Sequence, residues 1–332
     1  MTTMRSGIHR VELESGYVVG SVNAWLFEGD PFTLVDAGSL LPGAMQRLEA
    51  ACAGIGRRLE EIEQIVLTHH HVDHVGLAAS VAERSGAPVV ALAQAATFLT
   101  DYDAQMARDF AFARVALELH GFGAEVAARA ERELEAEARW AAAVRIDRSV
   151  APGDVVEIGA GAFDVLHRPG HSETDTVFAD ARRGIVISGD HLMRDHASMP
   201  MFDRPIGVLA DFAEEAARCA RLLDYRRSLA RSRGDLDGLV IPGHGDCFDA
   251  PRDVIDRHLA FQDLQAREAL ELFGRGETLT ACALAERLWP RTALEWAFLS
   301  ASTVLGLLGR LEAEEKLARV TLDDGRVGYR SR

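Results

Sequence analysis

The chain has 332 residues, of which 48% are hydrophobic and 26% are charged, as is typical of a globular protein. Its formal net charge of −15 disfavours nucleic-acid binding, which depends on Lys and Arg contacts with phosphates. No apolar run is long enough to cross a membrane, and the first residues lack the apolar core of a signal peptide. We therefore expect a cytoplasmic protein with no membrane partner.

Strands and helices alternate along most of the chain. The predicted elements are a hairpin (18–35), a helix (42–55), a helix (77–85), a strand (89–92), two strands that turn at 159–161 (154–168), a helix (212–231) and a strand (239–241). This alternation favours an α/β layer architecture.

Residues 95–148 interrupt the alternation. They are rich in Ala, Glu and Arg, carry aromatic residues such as Phe98 and Tyr102, and predict two or three inserted helices. Two interpretations stay open. The insertion is either a lid whose aromatic residues line a pocket for an apolar substrate, or an ordinary packed helical pair or homodimer surface.

Residues 252–332 predict a second domain after a first domain at 1–251. The pattern contains three helices (254–273, 279–288 and 294–315) and a hairpin (320–329) with its turn at Asp323-Asp324-Gly325. Three helices and a two-stranded wing resemble a winged helix. Because acidic and basic residues nearly balance here, DNA binding is disfavoured.

Polar clusters follow several predicted strands at the points where the strands end. The sequence 69–74 follows 65–68, Pro169-Gly170-His171-Ser172 follows the strand pair, Ser188-Gly189-Asp190-His191 follows 185–187, and Pro242-Gly243-His244 follows 239–241. Imidazoles and carboxylates gathered at strand ends predict a metal site. Neutral imidazole and carboxylate ligands suit Zn²⁺, and Fe or Mn are also compatible.

The first cluster can bind two metals. Residues two apart project to the same side of an extended segment, so His69 and His71 can share one ion, while Asp73 and His74 can bind a second. The downstream clusters supply the remaining donors. The predicted ligands are His69, His71 and His171 on one metal, Asp73, His74 and His244 on the other, and Asp190 between them.

This ordered set resembles the metallo-β-lactamase superfamily over about residues 10–250. Its H-x-H-x-D-H signature matches the sequence from His69 to His74. The resemblance implies an αββα sandwich with two divalent metal ions, and it makes Asp36, in Leu34-Val35-Asp36-Ala37-Gly38, a partner that orients a ligand histidine. The segments around Gly189-Asp190 and His244 are more similar to the glyoxalase II and thioesterase branch.

The resemblance implies hydrolysis of an ester or thioester by a metal-bridged hydroxide that Asp73 orients, with an acyl-thioester as the favoured small-molecule substrate. A lactonase uses the same ligands and stays open. A nuclease is disfavoured by the net charge. A dioxygenase with one Fe would leave Asp73, His74 and His244 without an essential role, and a complete ligand set argues against a noncatalytic regulator.

The segment after Asp190 is too irregular for a helix and rich in Met. We predict that it forms one wall of the substrate pocket, although Met is also a common filler of cores. The predicted wall residues are His191, Met193, Met199 and Phe202. After His171-Ser172 the chain continues Glu173-Thr174-Asp175, where relatives often carry Pro or Gly, so the shape of that loop is open.

Overall fold

The computed structural model describes the backbone of residues 3–5 and all of residues 7–209, 212–217 and 221–332. Part of the predicted helix over 212–231 and the isolated Cys219 lie outside the described residues, as do Met1 and Thr2 at the start of the chain. Across the described helices, none is both long and apolar enough to cross a membrane.

The chain forms two compact units. The first unit comprises Met1–Ala104, Glu137–Ser198 and Ser232–Val254, and the second comprises Gln105–Ala136, Met199–Arg231 and Ile255–Arg332. The division differs from the predicted one in that 105–136 and 199–231 group with the C-terminal helices. The reason is a shared core, in which Phe112, Leu117 and Phe202 pack with Leu305 and Leu308.

The first unit contains two described sheets. The seven strands of one sheet lie in chain order: β1 (Thr3–Arg5), β2 (Ile8–Glu14), β3 (Ser21–Phe27), β4 (Thr33–Val35), β5 (Gln64–Val66), β6 (Val89–Leu92) and β7 (Arg148–Val150). The pairs from β1 to β4 are antiparallel and those from β4 to β7 are parallel.

The five strands of the other sheet are β8 (Val155–Ile158), β9 (Gly161–His167), β10 (Thr176–Asp180), β11 (Ile185–Gly189) and β12 (Leu239–Pro242). All its pairs are antiparallel except β11 with β12. Burial alternates along β8, as expected for a strand with one face on a core. Residues of both sheets, among them Trp25, Val66, Phe163 and Ile187, form one hydrophobic cluster, so the predicted α/β sandwich is confirmed.

Helices connect the parallel strands of the first sheet. They are α1 (Ala44–Gly54), α2 (Val72–Val75), α3 (Ala78–Ser85), α4 (Ala93–Thr100), α5 (Tyr102–Leu119) and α6 (Ala124–Glu137), with 3₁₀ turns at Leu59–Glu61 and Ala138–Trp140. The predicted helices at 42–55 and 77–85 and the predicted helical insertion are thereby confirmed. Whether the insertion acts as a lid stays a prediction.

The remaining helices are α7 (Phe212–Ala216), α8 (Arg221–Asp235), α9 (Pro251–Glu271), α10 (Ala281–Leu288) and α11 (Ala297–Ala313). A small antiparallel sheet joins β13 (Thr278–Leu279), β15 (Val327–Ser331) and β14 (Leu317–Thr321) in that order. The predicted C-terminal helices and hairpin are confirmed. The winged-helix interpretation of this part stays a prediction.

Candidate metal centre

The loops that follow β5, β9, β11 and β12 bring the predicted ligands together in the first unit. Their donor atoms form two groups, each with its atoms within 4.8 Å of one another: His69, His71 and His171 in one, Asp73, His74 and His244 in the other. This is the same division that the sequence predicts. A further set at the same spacing, His69, His74 and Asp190, connects the two groups. Every residue of both groups comes from a segment that directly follows a strand.

The three histidines of the first group face one another. His71 Nδ1 lies 2.9 Å from His171 Nε2, and the three ring centroids are 4.6 to 5.3 Å apart. Burial lowers the pKa of His69 well below its usual value, and the imidazoles of His74 and His71 lower it further. A neutral imidazole keeps the lone pair that binds a metal, so the lowered pKa suits His69 to bind a cation.

The second group begins on the single turn of α2, which carries Asp73 and His74. His244 Nε2 lies 3.3 Å from Asp73 Oδ2, while its Nδ1 donates to the carbonyl oxygen of Ser21 at 2.8 Å. Burial lowers the pKa of His244, but the carboxylates of Asp190 and Asp73 outweigh it and raise that pKa to about 10. The negative potential that attracts a proton here would equally attract a metal cation.

Asp190 lies between the two groups. Its Oδ2 is 3.6 Å from His171 Nε2 in the first group and 3.3 Å from His244 Nε2 in the second, and its Oδ1 is 3.3 Å from His74 Nε2. Although burial raises the pKa of Asp190, His244 and His74 hold it well below its usual value, so the carboxylate stays ionised. One carboxylate therefore borders both groups with two oxygens.

Gly243 makes room for this arrangement. A Cβ at this position would lie 2.2 Å from Asp190 Oδ1 and 2.6 Å from His74 Cε1. Any other residue would displace Asp190 and His74, which explains the glycine of the Pro-Gly-His segment physically.

Asp36 holds the ring of His74 through a hydrogen bond, and its role as the partner of a metal ligand stays a prediction. Its carboxylate accepts hydrogen bonds from Thr68 N at 2.9 Å, Thr68 Oγ1 at 2.8 Å and His74 Nδ1 at 2.8 Å. Thr68 Oγ1 also lies 3.0 Å from His69 Nδ1. Asp36 adopts a left-handed backbone conformation with φ of 54°, which costs energy for a non-glycine residue. With Nδ1 engaged by Asp36, Nε2 of His74 is the nitrogen that faces Asp190.

Unpartnered buried atoms test whether these residues fit a metal. Among the described residues, His69 Nε2, His74 Nε2 and Asp190 Oδ1 are buried and make no hydrogen bond; the last two lie 3.3 Å apart but without hydrogen-bond geometry. One donor atom from each of these three residues lies within 4.8 Å of the other two. Leaving a buried polar group unpaired costs about 1–3 kcal/mol, so three together favour a bound cation.

The loop that carries His171 is braced from within. Asp175 accepts hydrogen bonds from Ser172 N at 3.0 Å and Ser172 Oγ at 2.6 Å, and Thr174 Oγ1 lies 2.7 Å from His70 Nδ1. Side chains of the Thr174-Asp175 segment therefore stabilise a tight turn after His171. The contact with Thr174 also explains why His70 belongs to neither group of ligands.

The four predicted pocket-wall residues fall in both units. In the first unit, His191 and Met193 are buried, and His191 Nε2 lies 2.8 Å from Ser232 Oγ. In the second unit, Met199 is half-buried and Phe202 packs in the core with its ring centroid 5.3 Å from that of Phe112. Their role as a substrate wall stays a prediction.

Comparisons with known proteins agree with this geometry. The family model of the Metallo-beta-lactamase superfamily matches residues 17–244. The chain is 27% identical over 307 residues to the probable metallo-hydrolase YqjP of Bacillus subtilis, and the match covers 92% of each chain. It is 30% identical over 109 residues to the acyl-coenzyme A thioesterase MBLAC2 of Gallus gallus, a match that covers 33% of this chain and 35% of that protein.

A crystal structure of a metallo-beta-lactamase family protein from Thermus thermophilus has the same fold. It superposes with a TM-score of 0.81 at 21% identity and covers 99% of this chain and 100% of that one. The family match extends over more than half of the chain and includes every residue of both ligand groups. The chain therefore belongs to the metallo-β-lactamase superfamily, a group of metallo-hydrolases that use divalent metal ions.

Proposed function

We propose that this protein is a hydrolase that binds two divalent metal ions, preferably Zn²⁺ with Fe or Mn as alternatives, and cleaves an acyl-thioester. The observation that carries the proposal is the position of Asp190, whose oxygens border both ligand groups. A single metal would occupy only one ligand group and leave the other complete group without an ion. The charge of +4 on two divalent ions would also offset the −3 of the buried carboxylates of Asp36, Asp73 and Asp190 and leave one positive charge for a hydroxide.

Two divalent ions held by these residues would lower the pKa of water to about 7 and polarise a substrate carbonyl. Residues of the chain orient the water and the ligands. Asp73 places both carboxylate oxygens inside the site, with Oδ2 at 3.3 Å from His244 Nε2 and Oδ1 at 3.9 Å from His74 Nε2. An oxygen of Asp73 that does not bind metal can accept a hydrogen bond from the attacking water and so orient it. Asp36 keeps His74 Nε2 directed into the site.

An apolar surface beside the second group supports an apolar acyl substrate. We define the apolar rim as Tyr17, Val18, Val19, Leu40 and Trp140. Val18, Val19 and Leu40 are 72%, 36% and 40% exposed, and the rings of Tyr17 and Trp140 pack edge to face with centroids 5.4 Å apart. Exposed apolar residues gathered in one place often mark a binding surface.

The apolar rim is tied to the ligand loops by its backbone. Leu40 N donates to Trp140 O at 2.5 Å, and a Cβ on Gly76, two residues after His74, would lie 2.4 Å from both of these atoms. On the other side, Val19 is two residues from Ser21, whose carbonyl accepts from His244. Burial raises the pKa of Tyr17, and the negative charges of Glu137 and Asp73 raise it further.

The apolar rim and the net charge both favour an apolar acyl substrate over RNA. A hydrocarbon chain gains from apolar contact, whereas an RNA backbone would meet a protein with a net charge of −15. The name of the Gallus gallus relative, an acyl-coenzyme A thioesterase, is compatible with the first choice. A lactone with an apolar chain would use the same ligands and the same rim, and lactonase activity stays the second candidate.

A substrate panel tests the proposal. Zinc-loaded protein is assayed with acyl-coenzyme A thioesters of increasing chain length, with acyl lactones and with single-stranded RNA. We expect kcat/KM to be highest for the thioesters and to rise with chain length. Asp190→Ala should abolish turnover, while Asp237→Ala, which changes an exposed aspartate of the same unit, should leave it intact. Faster cleavage of lactones or RNA, or full activity without metal, would refute it.

A further inference from the structure

A buried polar network lies beside the metal centre without belonging to either ligand group. Ser232 Oγ, in the last turn of α8, lies 2.8 Å from His191 Nε2 and accepts a hydrogen bond from Arg168 Nε at 3.2 Å. Arg168 also donates to the Asp235 carboxylate and, at 3.2 Å, to the carbonyl oxygen of His167. Ser232 and His191 are fully buried, and Arg168 is nearly so.

This network connects two of the ligand loops and lies at the helix end that leads toward a third. Arg168 lies three residues before His171, and its backbone N–H donates to Asp175 O, which closes the same loop. His191 directly follows Asp190. Beyond Ser232 the chain enters β12, which ends at the His244 loop. The hydroxyl of one serine therefore joins the His171 loop to the Asp190 loop at the helix end from which the His244 strand departs.

The position of Ser232 allows it to affect the metal centre. The loops that it joins meet where Asp190 Oδ2 approaches His171 Nε2 at 3.6 Å, the contact by which Asp190 reaches the first ligand group. Both hydrogen bonds of the Ser232 hydroxyl form inside the protein, where water cannot replace them. Removing the hydroxyl takes one hydrogen bond from His191 and one from Arg168. Because both side chains are buried, this costs more stabilising free energy than the loss of an exposed hydrogen bond.

We propose that Ser232 is a positioning residue for the metal centre, acting through His191 on Asp190 and through Arg168 on His171. It fixes the spacing between these two ligands without touching either. The inference rests on the proposed metal-binding function and adds a residue that the ligand signature does not contain. Partners of ligands typically change metal affinity by about 10- to 100-fold when they are removed.

Metal titration of Ser232→Ala tests the proposal. Metal-free protein is titrated with Zn²⁺ against a chromophoric chelator, and with Co²⁺ while its visible absorption spectrum is recorded. We expect about 10- to 100-fold weaker binding of at least one ion and a changed Co²⁺ spectrum. Ser232→Thr, which keeps the hydroxyl, should bind more tightly than the Ala variant. Ser228→Ala, which removes an equally buried serine one turn earlier on α8, should behave like the wild type.

The outcomes separate this inference from the proposed function. Wild-type affinity and an unchanged Co²⁺ spectrum in Ser232→Ala would overturn the role of Ser232 alone. If the wild-type protein bound neither Zn²⁺ nor Co²⁺, the proposed function itself would be overturned. Circular dichroism of the metal-free variants checks folding, and if the Ala variant does not fold, Ser232→Cys takes its place. Its thiol is a weak hydrogen-bonding group, so a wild-type spectrum and affinity would again overturn the inference.

Discussion

Asp36 offers the sharpest test of how the site holds its ligands. The change Asp36→Asn keeps the size of the side chain, and asparagine tolerates the left-handed backbone conformation at this position. It removes the negative charge and replaces one acceptor oxygen with an amide group that can only donate. Because all three groups that point at Asp36 are donors, at least one of them loses its acceptor.

The size of the effect follows from those contacts. A hydrogen bond to a charged group contributes about 1.5–3 kcal/mol, so we expect the free energy of unfolding to fall by about that amount. His74 loses the carboxylate that orients its ring and makes its nitrogen more basic. We therefore expect the ion in the Asp73, His74 and His244 group to bind about 10- to 100-fold more weakly, which is about 1.4–2.8 kcal/mol.

The assay is a competition titration of metal-free protein with Zn²⁺ and a chelator, together with urea unfolding. Asp180→Asn is the matched control, because Asp180 is also buried and accepts hydrogen bonds from Arg182 N and Arg183 N. We expect the control to lose stability and keep its metal affinity. Wild-type affinity for both ions in Asp36→Asn would refute the reasoning that Asp36 supports a ligand.

Three further predictions concern pH, metal and the apolar rim. Burial lowers the pKa of His120 to about 4, so its stabilising contribution is complete above about pH 6.5 and lost as the pH falls toward 4. The melting temperature of the wild type should therefore fall relative to His120→Gln between about pH 7 and 4.5, and parallel curves would contradict this. Chelation should abolish turnover until Zn²⁺ is returned, and activity that persists in demetallated protein would count against the site. Gly16→Ala would place a Cβ 2.5 Å from the Trp140 ring, whereas Gly20→Ala shares only a positive φ and meets nothing within 4 Å. Gly16→Ala should thus lower the melting temperature and the preference for long acyl chains more than Gly20→Ala, and equal effects would show that the rim is not tightly packed.

The parts of the fold that follow local patterns could be predicted from the sequence. The hairpin that ends at Val35, the strands around the turn at 159–161 and the C-terminal helices each have a period and a stop signal. The two ligand groups could be predicted from residue types at strand ends, because imidazoles and carboxylates gathered at such positions indicate a metal site. The sequence did not predict β1 or β2, nor the one-turn helix α2 that carries Asp73 and His74.

Features that depend on contacts distant in sequence could not be predicted. The grouping of Phe112 with Leu305 in one core is set by packing between segments far apart in the chain, and no local pattern records it. Ser21 orients His244 through a backbone carbonyl, which every residue type possesses. Ser232 is one serine on a polar helix, and only its position between Arg168 and His191 distinguishes it.

Crystals grown with Zn²⁺ and measured at the zinc absorption edge test the central claim most directly. The anomalous difference map should show two peaks, one among His69, His71 and His171 and one among Asp73, His74 and His244, with Asp190 in contact with both. A map with no peak among these side chains, at full zinc saturation, would contradict the metal centre, and a single peak would contradict the proposed pair of ions.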